Sequence, residues 1–477
     1  VRNTLDFLHR EGIRLEEGDV VMLNDPYLAG THLNDITLLT PVLVRGKIVA
    51  YGTNKAHHVD VGGRAPGSIT EDASELYQEG LVIPPVKLLQ RGALARDVVA
   101  FLCGNVRAPG ITMGDLRAQI AANNLGARRM AEVVERYGLD VVESCWDAII
   151  TQSEKLTRRD LSRLPDGVYR AEDCLEDIGI RDEQAWIRVS VAVEGGRVHV
   201  DFSSTDSQVP APLNAVFGVT LSAVYFVVKC IIDPAVPMNE GVLRAVTVAA
   251  PEGTLVNPRH PAPVAGGNLE TSQRIADVLF RALAQAAPER IPAASNGSMN
   301  NVLAGGYDPV RKRTWVYCET IGGGSGGRPG QDGVDGIHCN MTNTLNTPIE
   351  AMEQYYPVRF ERYEFQPGTG GTGKWRGGCG IDRSWTLLSP SATVSILTER
   401  TWIPPWGLAG GGPGGLGEHW VRRKDGRWEH LRGKGSLVLF EGDTLITRTP
   451  GGGGHGDPSA RDPASRARDR ANGLVPS

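Results

Sequence analysis

Glycine crowds into four short stretches of this 477-residue chain, residues 322–333, 368–380, 407–417 and 451–456. Helix and strand interiors do not tolerate such density, because glycine loses the most backbone entropy on folding. The stretches therefore read as left-handed turns and places where one chain segment comes very close to another, in tight turns or substrate-facing loops. They share no common spacing, which excludes a solenoid repeat.

Between these stretches the pattern alternates in type. Residues 19–24, 36–44 and 47–52 read as strands joined by short turns. Residues 94–164 turn helical: Leu116, Ile120, Leu125, Met130 and Val133 recur near a 3.6-residue period, with Gly114-Asp115 and Tyr137-Gly138 as start and stop. Pro165-Asp166-Gly167 then marks a turn into strands at 167–171, 185–193 and 197–202. Helices are expected at 215–232 and 271–286, and strands at 315–321, 392–398 and 437–440. The fold class expected is α+β, β-rich and multi-domain, with a helical segment near 94–164 and Gly-rich loops. The divisions are 1–93 for a β region carrying a metal site, 94–164 for the helical segment, 165–457 for an α+β region and 458–477 for a disordered tail. The opening residues, with Leu5, Leu8 and Ile13, read as a helix already in progress, so the chain is expected to start mid-protein.

Charge and cysteine usage narrow the partners. With 55 acidic against 50 basic residues, neither nucleic acid nor an anionic membrane is the expected partner, since both select a basic face. Seven scattered cysteines without a C-x-x-C pair point to cytoplasmic thiols. The most apolar run, 216–232, is broken by Gly218, Ser222 and Lys229 and reads as a buried helix.

Chemistry concentrates in residues 18–87, which hold three of the ten histidines in Gly30-Thr31-His32-Leu33-Asn34-Asp35 and Ala56-His57-His58-Val59-Asp60. Imidazole and carboxylate together suit a divalent transition metal. His32, Asp35 and His58, with His57 as the substitute, are the candidate ligands. Spacing alone leaves open a blander reading: His32 caps a turn, and one of the two adjacent histidines is core and the other solvated, because strand side chains alternate. Asp60 is the candidate to orient an imidazole or take a proton from water. His338, among small polar residues beside a glycine run, is a candidate pocket residue. Neither 322–330 nor 368–374 completes a phosphate-binding P-loop. The first lacks the Lys-Ser/Thr pair, and Trp375 takes the Ser/Thr place in the second.

The blocks Asn24-Asp-Pro-Tyr-Leu-Ala-Gly-Thr-His-Leu-Asn-Asp-Ile-Thr37, Ala56-His-His-Val-Asp-Val-Gly-Gly63 and Glu79-Gly-Leu-Val-Ile-Pro-Pro-Val-Lys87 resemble the hydantoinase B family, as do Asn340-Met-Thr-Asn-Thr344 and the glycine stretches. That family includes the B subunit of N-methylhydantoinase, the C-terminal half of 5-oxoprolinase and subunits of acetone and acetophenone carboxylases. The resemblance implies a two-component enzyme in a hetero-oligomer: a hydantoinase A-type partner binds ATP and phosphorylates a carbonyl oxygen, and the B-type subunit completes the reaction at a divalent metal (Zn, Mn or Fe). The ligands map to His32, Asp35 and His57 or His58, and Arg328 and His338 are the expected contacts to the phosphorylated substrate. Opening of a cyclic amide such as a hydantoin, 5-oxoproline or another lactam is the favoured activity. A subunit of a ketone carboxylase and a non-catalytic assembly subunit with a structural metal are the alternatives. Family members begin some tens of residues earlier, with a segment whose Asp resembles a further ligand, and Asn34 stands where Pro is frequent.

Overall fold

In a computed structural model of the chain, residues 1–475 are described, save the side chain of Ala29. Arg45 and Gly46 both take positive φ, 50° and 76°, as the tight primed hairpin turns require. That turn joins β2 (Asp35–Val44) to β3 (Lys47–His57). With β1 (Val20–Leu23), β4 (Val86–Gln90) and β5 (Ala93–Leu94) they form a sheet ordered β3-β2-β1-β4-β5, antiparallel throughout.

The helix Pro109–Tyr137 lies across β2 and β3. It begins earlier than expected, with Pro109 in the first turn, and ends at Gly138 as the sequence indicates. Its buried row differs from the apolar stripe expected: Leu116 is buried, but Leu125 and Val133 are exposed, and Gln119 and Asn123 take the inner face. These amides are used. Gln119 Nε2 donates to the Ile36 carbonyl and to Asn54 Oδ1 (both 2.9 Å), and Asn54 Nδ2 donates to Asn123 Oδ1 (2.9 Å). Burial without such partners would cost each amide about 1–3 kcal/mol.

β6 (Gly167–Leu175), β7 (Ala185–Glu194), β8 (Arg197–Asp201) and β9 (Val246–Ala249) make a second sheet, against which the helix Ser272–Leu283 packs. A third contains β10 (Asn301–Asp308), β11 (Arg313–Thr320), β14 (Ser391–Leu397) and β17 (Lys434–Phe440). The fourth contains β12 (Val358–Gln366), β13 (Gly380–Leu387), β15 (Glu418–Arg422), β16 (Trp428–Leu431) and β18 (Thr444–Arg448). One apolar core joins the first two sheets and their helices and reaches Leu303 and Leu397 of the third sheet, and a second lies among the last two sheets. No helix among the described residues is long and apolar enough to cross a membrane.

The four glycine stretches do not splay out as substrate-facing loops. They stack on one another: Gly378 N donates to Ser325 O (2.8 Å), Gly371 N to Gly452 O (2.9 Å), Gly327 N to Gly453 O (2.8 Å) and Gly454 N to Gly412 O (2.9 Å). A Cβ on Gly452 would stand 2.0 Å from Ser325 O, and one on Gly324 1.9 Å from Gly378 O. Neither residue has positive φ, so close approach alone demands glycine here.

The tail also departs from expectation. Residues 458–475 form a 3₁₀ turn, Pro458–Ala460, and a helix, Pro463–Ala471, whose N-cap Asp462 accepts from Ser465 N (2.9 Å). Asp469 is buried between the guanidiniums of Arg376 (3.2 Å) and Arg461 (2.6 Å). Residues 476–477 of the expected disordered tail lie outside the described residues.

Gly452→Ala is expected to cost at least about 3 kcal/mol, because the new methyl collides with backbone rather than with a movable side chain. Gly435→Ala, where a Cβ meets nothing within 4 Å, should stay within about 0.5 kcal/mol of the parent. Urea denaturation midpoints of the two variants check the contrast.

Candidate metal centre

Register creates the site. Near the hairpin turn, Val44 pairs with Lys47 and Leu43 with Ile48, but Val42 pairs with Ala50, so Val49 is an extra residue in β3. This β-bulge advances the partner of every later residue by one. As a result Asp35 pairs with His57 instead of Ala56. Directly paired residues project to the same face, and His57 Nδ1 stands 3.5 Å from Asp35 Oδ1. His32 enters from the turn before β2, closed by Asp35 N donating to His32 O (3.1 Å), and its Nδ1 lies 3.1 Å from Asp35 Oδ2. The two imidazoles stack with centroids 5.0 Å apart.

Burial works against ionisation of Asp35, but His32 and then His57 outweigh it and hold the carboxyl well below its usual range. Burial likewise opposes a charged His57, whereas Asp35 and Cys318 push its pKa up to about 10. One ligand atom from each of His32, Asp35 and His57 can be chosen so that all lie within 4.8 Å of one another. Two imidazole nitrogens and a carboxylate facing one point form a donor set that fits a divalent transition metal.

The family described as Hydantoinase B/oxoprolinase matches residues 1–458. The chain belongs to that family. An uncharacterized protein of Methanocaldococcus jannaschii is 49% identical over 462 residues, which are 97% of this chain and 80% of that protein. The caprolactamase subunit beta of Pseudomonas jessenii is 35% identical, across 97% of this chain and 81% of its own length. Among solved structures, the ATP-dependent caprolactamase from Pseudomonas jessenii superposes with a TM-score of 0.93 at 32% identity, covering 100% of this chain and 83% of that one.

In this hydantoinase B chain the remaining candidates sit elsewhere. His58, expected as the ligand ahead of His57, is a correction: alternation turns it to the opposite face of the sheet, where it is fully buried and its Nε2 meets Gln119 Oε1 (3.0 Å). Burial holds it below its ordinary pKa. Asp60 is buried and fully engaged, accepting from the backbone N–H groups of Gly62 (3.1 Å), Gly67 (3.2 Å) and Arg107 (2.8 Å) and from the Arg107 guanidinium (2.9 Å). It is a structural cap with no lone pair turned toward the cluster. Asn34, in the position frequent for Pro, donates from its side chain to His58 O (3.0 Å) and Gly67 O (3.1 Å), which fastens the His32 turn to the end of β3.

A cavity of about 350 Å³ opens beside the cluster, lined by Asp35, His57, Asn268, Asn301, Cys318 and the segment 341–347. Arg328 and His338 are brought together, but around a neighbouring cavity of about 300 Å³ that also touches Asp277 and Asn340. Sequence reading missed Asn268, Cys318 and Glu270. Asn268 lies in a π-helical turn, Gly267–Thr271, a conformation that recurs at functional sites. The signal was the Gly266-Gly267 pair before it: a Cβ on Gly267 would stand 1.9 Å from Asn214 O. Glu270 is fully buried behind Asn301, whose Nδ2 donates to it (2.9 Å), and burial pushes its carboxyl up to about 8.

His57→Ala is expected to abolish divalent-cation binding measured by calorimetry, whereas His58→Ala should retain it and lose about 1–3 kcal/mol of stability by stranding Gln119. Because a cation must displace the proton from His57, affinity should rise with pH across the neutral range and fall as the buffer is acidified.

Proposed function

We propose that this chain is the catalytic B-type subunit of a two-component, ATP-dependent cyclic amide hydrolase, working in the cytoplasm with an A-type partner that binds ATP. The observation that carries the reading is the convergence of His32, Asp35 and His57, with Asp35 and His57 lining a cavity of about 350 Å³. The similarity to a caprolactamase beta subunit supplies the substrate class.

An amide carbonyl is a poor electrophile, and phosphorylating its oxygen gives the carbon a good leaving group. A divalent cation bound here would polarise that oxygen and lower the pKa of a neighbouring water. The chain's own residues then have defined tasks. His32, Asp35 and His57 would hold the cation. Glu270, whose carboxyl burial pushes up to about 8, accepts from the Asn301 amide and fixes it at the cavity wall. The segment 341–347 supplies part of the cavity's lining. One water adds across the C–N bond, the hydroxyl going to the carbonyl carbon and a proton to the departing nitrogen, and a second water splits the resulting acyl phosphate into carboxylate and inorganic phosphate.

Placing ATP on the partner is supported by the glycine stack. The N–H groups of Gly324, Gly327, Gly371 and Gly378 donate to carbonyls within the chain, so these stretches offer no open row of donors for phosphates. Arg328 and His338, which line one cavity, are proposed to contact the phosphorylated substrate. The seven cysteines are all free thiols, as in a reducing compartment.

Assaying the chain with and without its A-type partner against caprolactam, hydantoin and 5-oxoproline tests the reading. Turnover is expected only with both chains and ATP, and His32→Ala should reduce it by at least about 100-fold. Hydrolysis by the isolated chain without ATP would overturn the division of labour, as would micromolar Mg-ATP binding by that chain.

A further inference from the structure

We propose that Asn268 supplies a fourth ligand to the cation held by His32, Asp35 and His57, through its side-chain amide oxygen. The inference rests on reading that cluster as a cation site. Its basis is a conflict at one atom. The Asn268 amide Nδ2 lies 3.2 Å from His32 Nδ1, the same ring nitrogen that stands 3.1 Å from Asp35 Oδ2. A ring nitrogen carries either a proton or a lone pair. With a proton, Nδ1 donates to Asp35 but confronts the amide N–H groups. With a lone pair, it accepts from the amide but faces the carboxylate oxygen, lone pair against lone pair.

Turning the amide over resolves this without any change of volume, since its two ends differ only in donor and acceptor character. The oxygen then faces the cluster. In the empty site the Nδ1 proton bridges Asp35 and Asn268, and a bound cation takes the place of that proton, meeting two imidazole nitrogens, a carboxylate and an amide oxygen. Four such donors complete the coordination number usual for zinc and leave room for more around manganese or iron.

The backbone holds Asn268 in position for this. Its carbonyl accepts from Ser272 Oγ (2.7 Å), and Gly267 N donates to Pro212 O (3.0 Å). Because Gly267 is pressed against Asn214, the π-helical turn has nowhere to retreat. The side chain lines the same cavity as Asp35 and His57, so a residue from the second half of the first core closes a site otherwise built by β2, β3 and the turn before them.

Calorimetric titration of the purified chain with MnCl₂ and ZnCl₂, on the parent, Asn268→Ala, Asn268→Asp and His32→Ala, tests the assignment. Asn268→Ala should weaken binding by about tenfold or more, and Asn268→Asp, which keeps an oxygen and adds charge, should match or exceed the parent. Thermal denaturation of the ion-free proteins separates lost ligation from lost fold. Binding by Asn268→Ala as tight as the parent's, with His32→Ala inactive, would overturn Asn268 as a ligand while leaving the cluster intact. Equal weakening by Asn268→Asp and Asn268→Ala would also overturn it. Absence of binding by the parent itself would remove the cluster's cation reading and this inference with it.

Discussion

The pairing of Asp35 with His57 is the contact on which the rest of the site depends, and one extra residue sets it. Val49 is that residue, and a slip of one place would put Ala56 opposite Asp35. The surrounding polar groups act as a lock on that choice. Gln119 meets His58, Asn54 and the Ile36 carbonyl, Asn123 meets the Leu38 carbonyl (3.2 Å), and Asn34 ties the His32 turn to His58. Each bond contributes only about 0.5–1.5 kcal/mol net, but those to Asn54 and His58 would be lost together if β3 moved, while those to Ile36 and Leu38 hold the helix on β2. The long helix thus uses its inner face for register, which explains why amides replaced the apolar residues there.

Much of the architecture was legible from residue order. Alternation and turn signals located β1, β2, β7, β8 and β11 within a residue or two, and the helices Phe217–Ile231 and Ser272–Leu283 lie inside the ranges read from their patterns. The hydantoinase B resemblance was legible too, and His32 and Asp35 came from it and from their spacing. The choice between His57 and His58 was not. β3 runs on past Gly52 through Thr53, Asn54 and Lys55, polar residues that hid the strand, and no pattern announces a bulge at Val49. Asp60 was misread because a carboxylate beside histidines in sequence says nothing about which backbone N–H groups will surround it. Asn268 lies more than two hundred residues from His32, a distance that local spacing cannot bridge.

Buried charge also binds the two cores together. Arg274 pairs with Glu399 (3.0 Å) and Asp173 (3.5 Å), and Arg400 pairs with Asp173 (2.9 Å) and Asp277 (3.4 Å), all nearly inaccessible to water. Removing one member of such a set strands the others at a cost of about 3–5 kcal/mol. The network runs from β6 through the helix Ser272–Leu283 to the end of β14. It therefore clamps the helix that follows the π-helical turn, and with it one wall of the cavity.

The glycine stack has a consequence for the order in which the molecule assembles. Gly324, Gly378 and Gly452 come from segments far apart in the chain and carry no side chains by which to find one another. Loop-closure entropy must be met before their contacts give anything back, so they cannot nucleate folding. The strands on either side have to pair first and deliver the glycine segments into contact. The stack is then among the last regions to close, and a ribosome-bound chain cannot complete it until residue 454 has emerged.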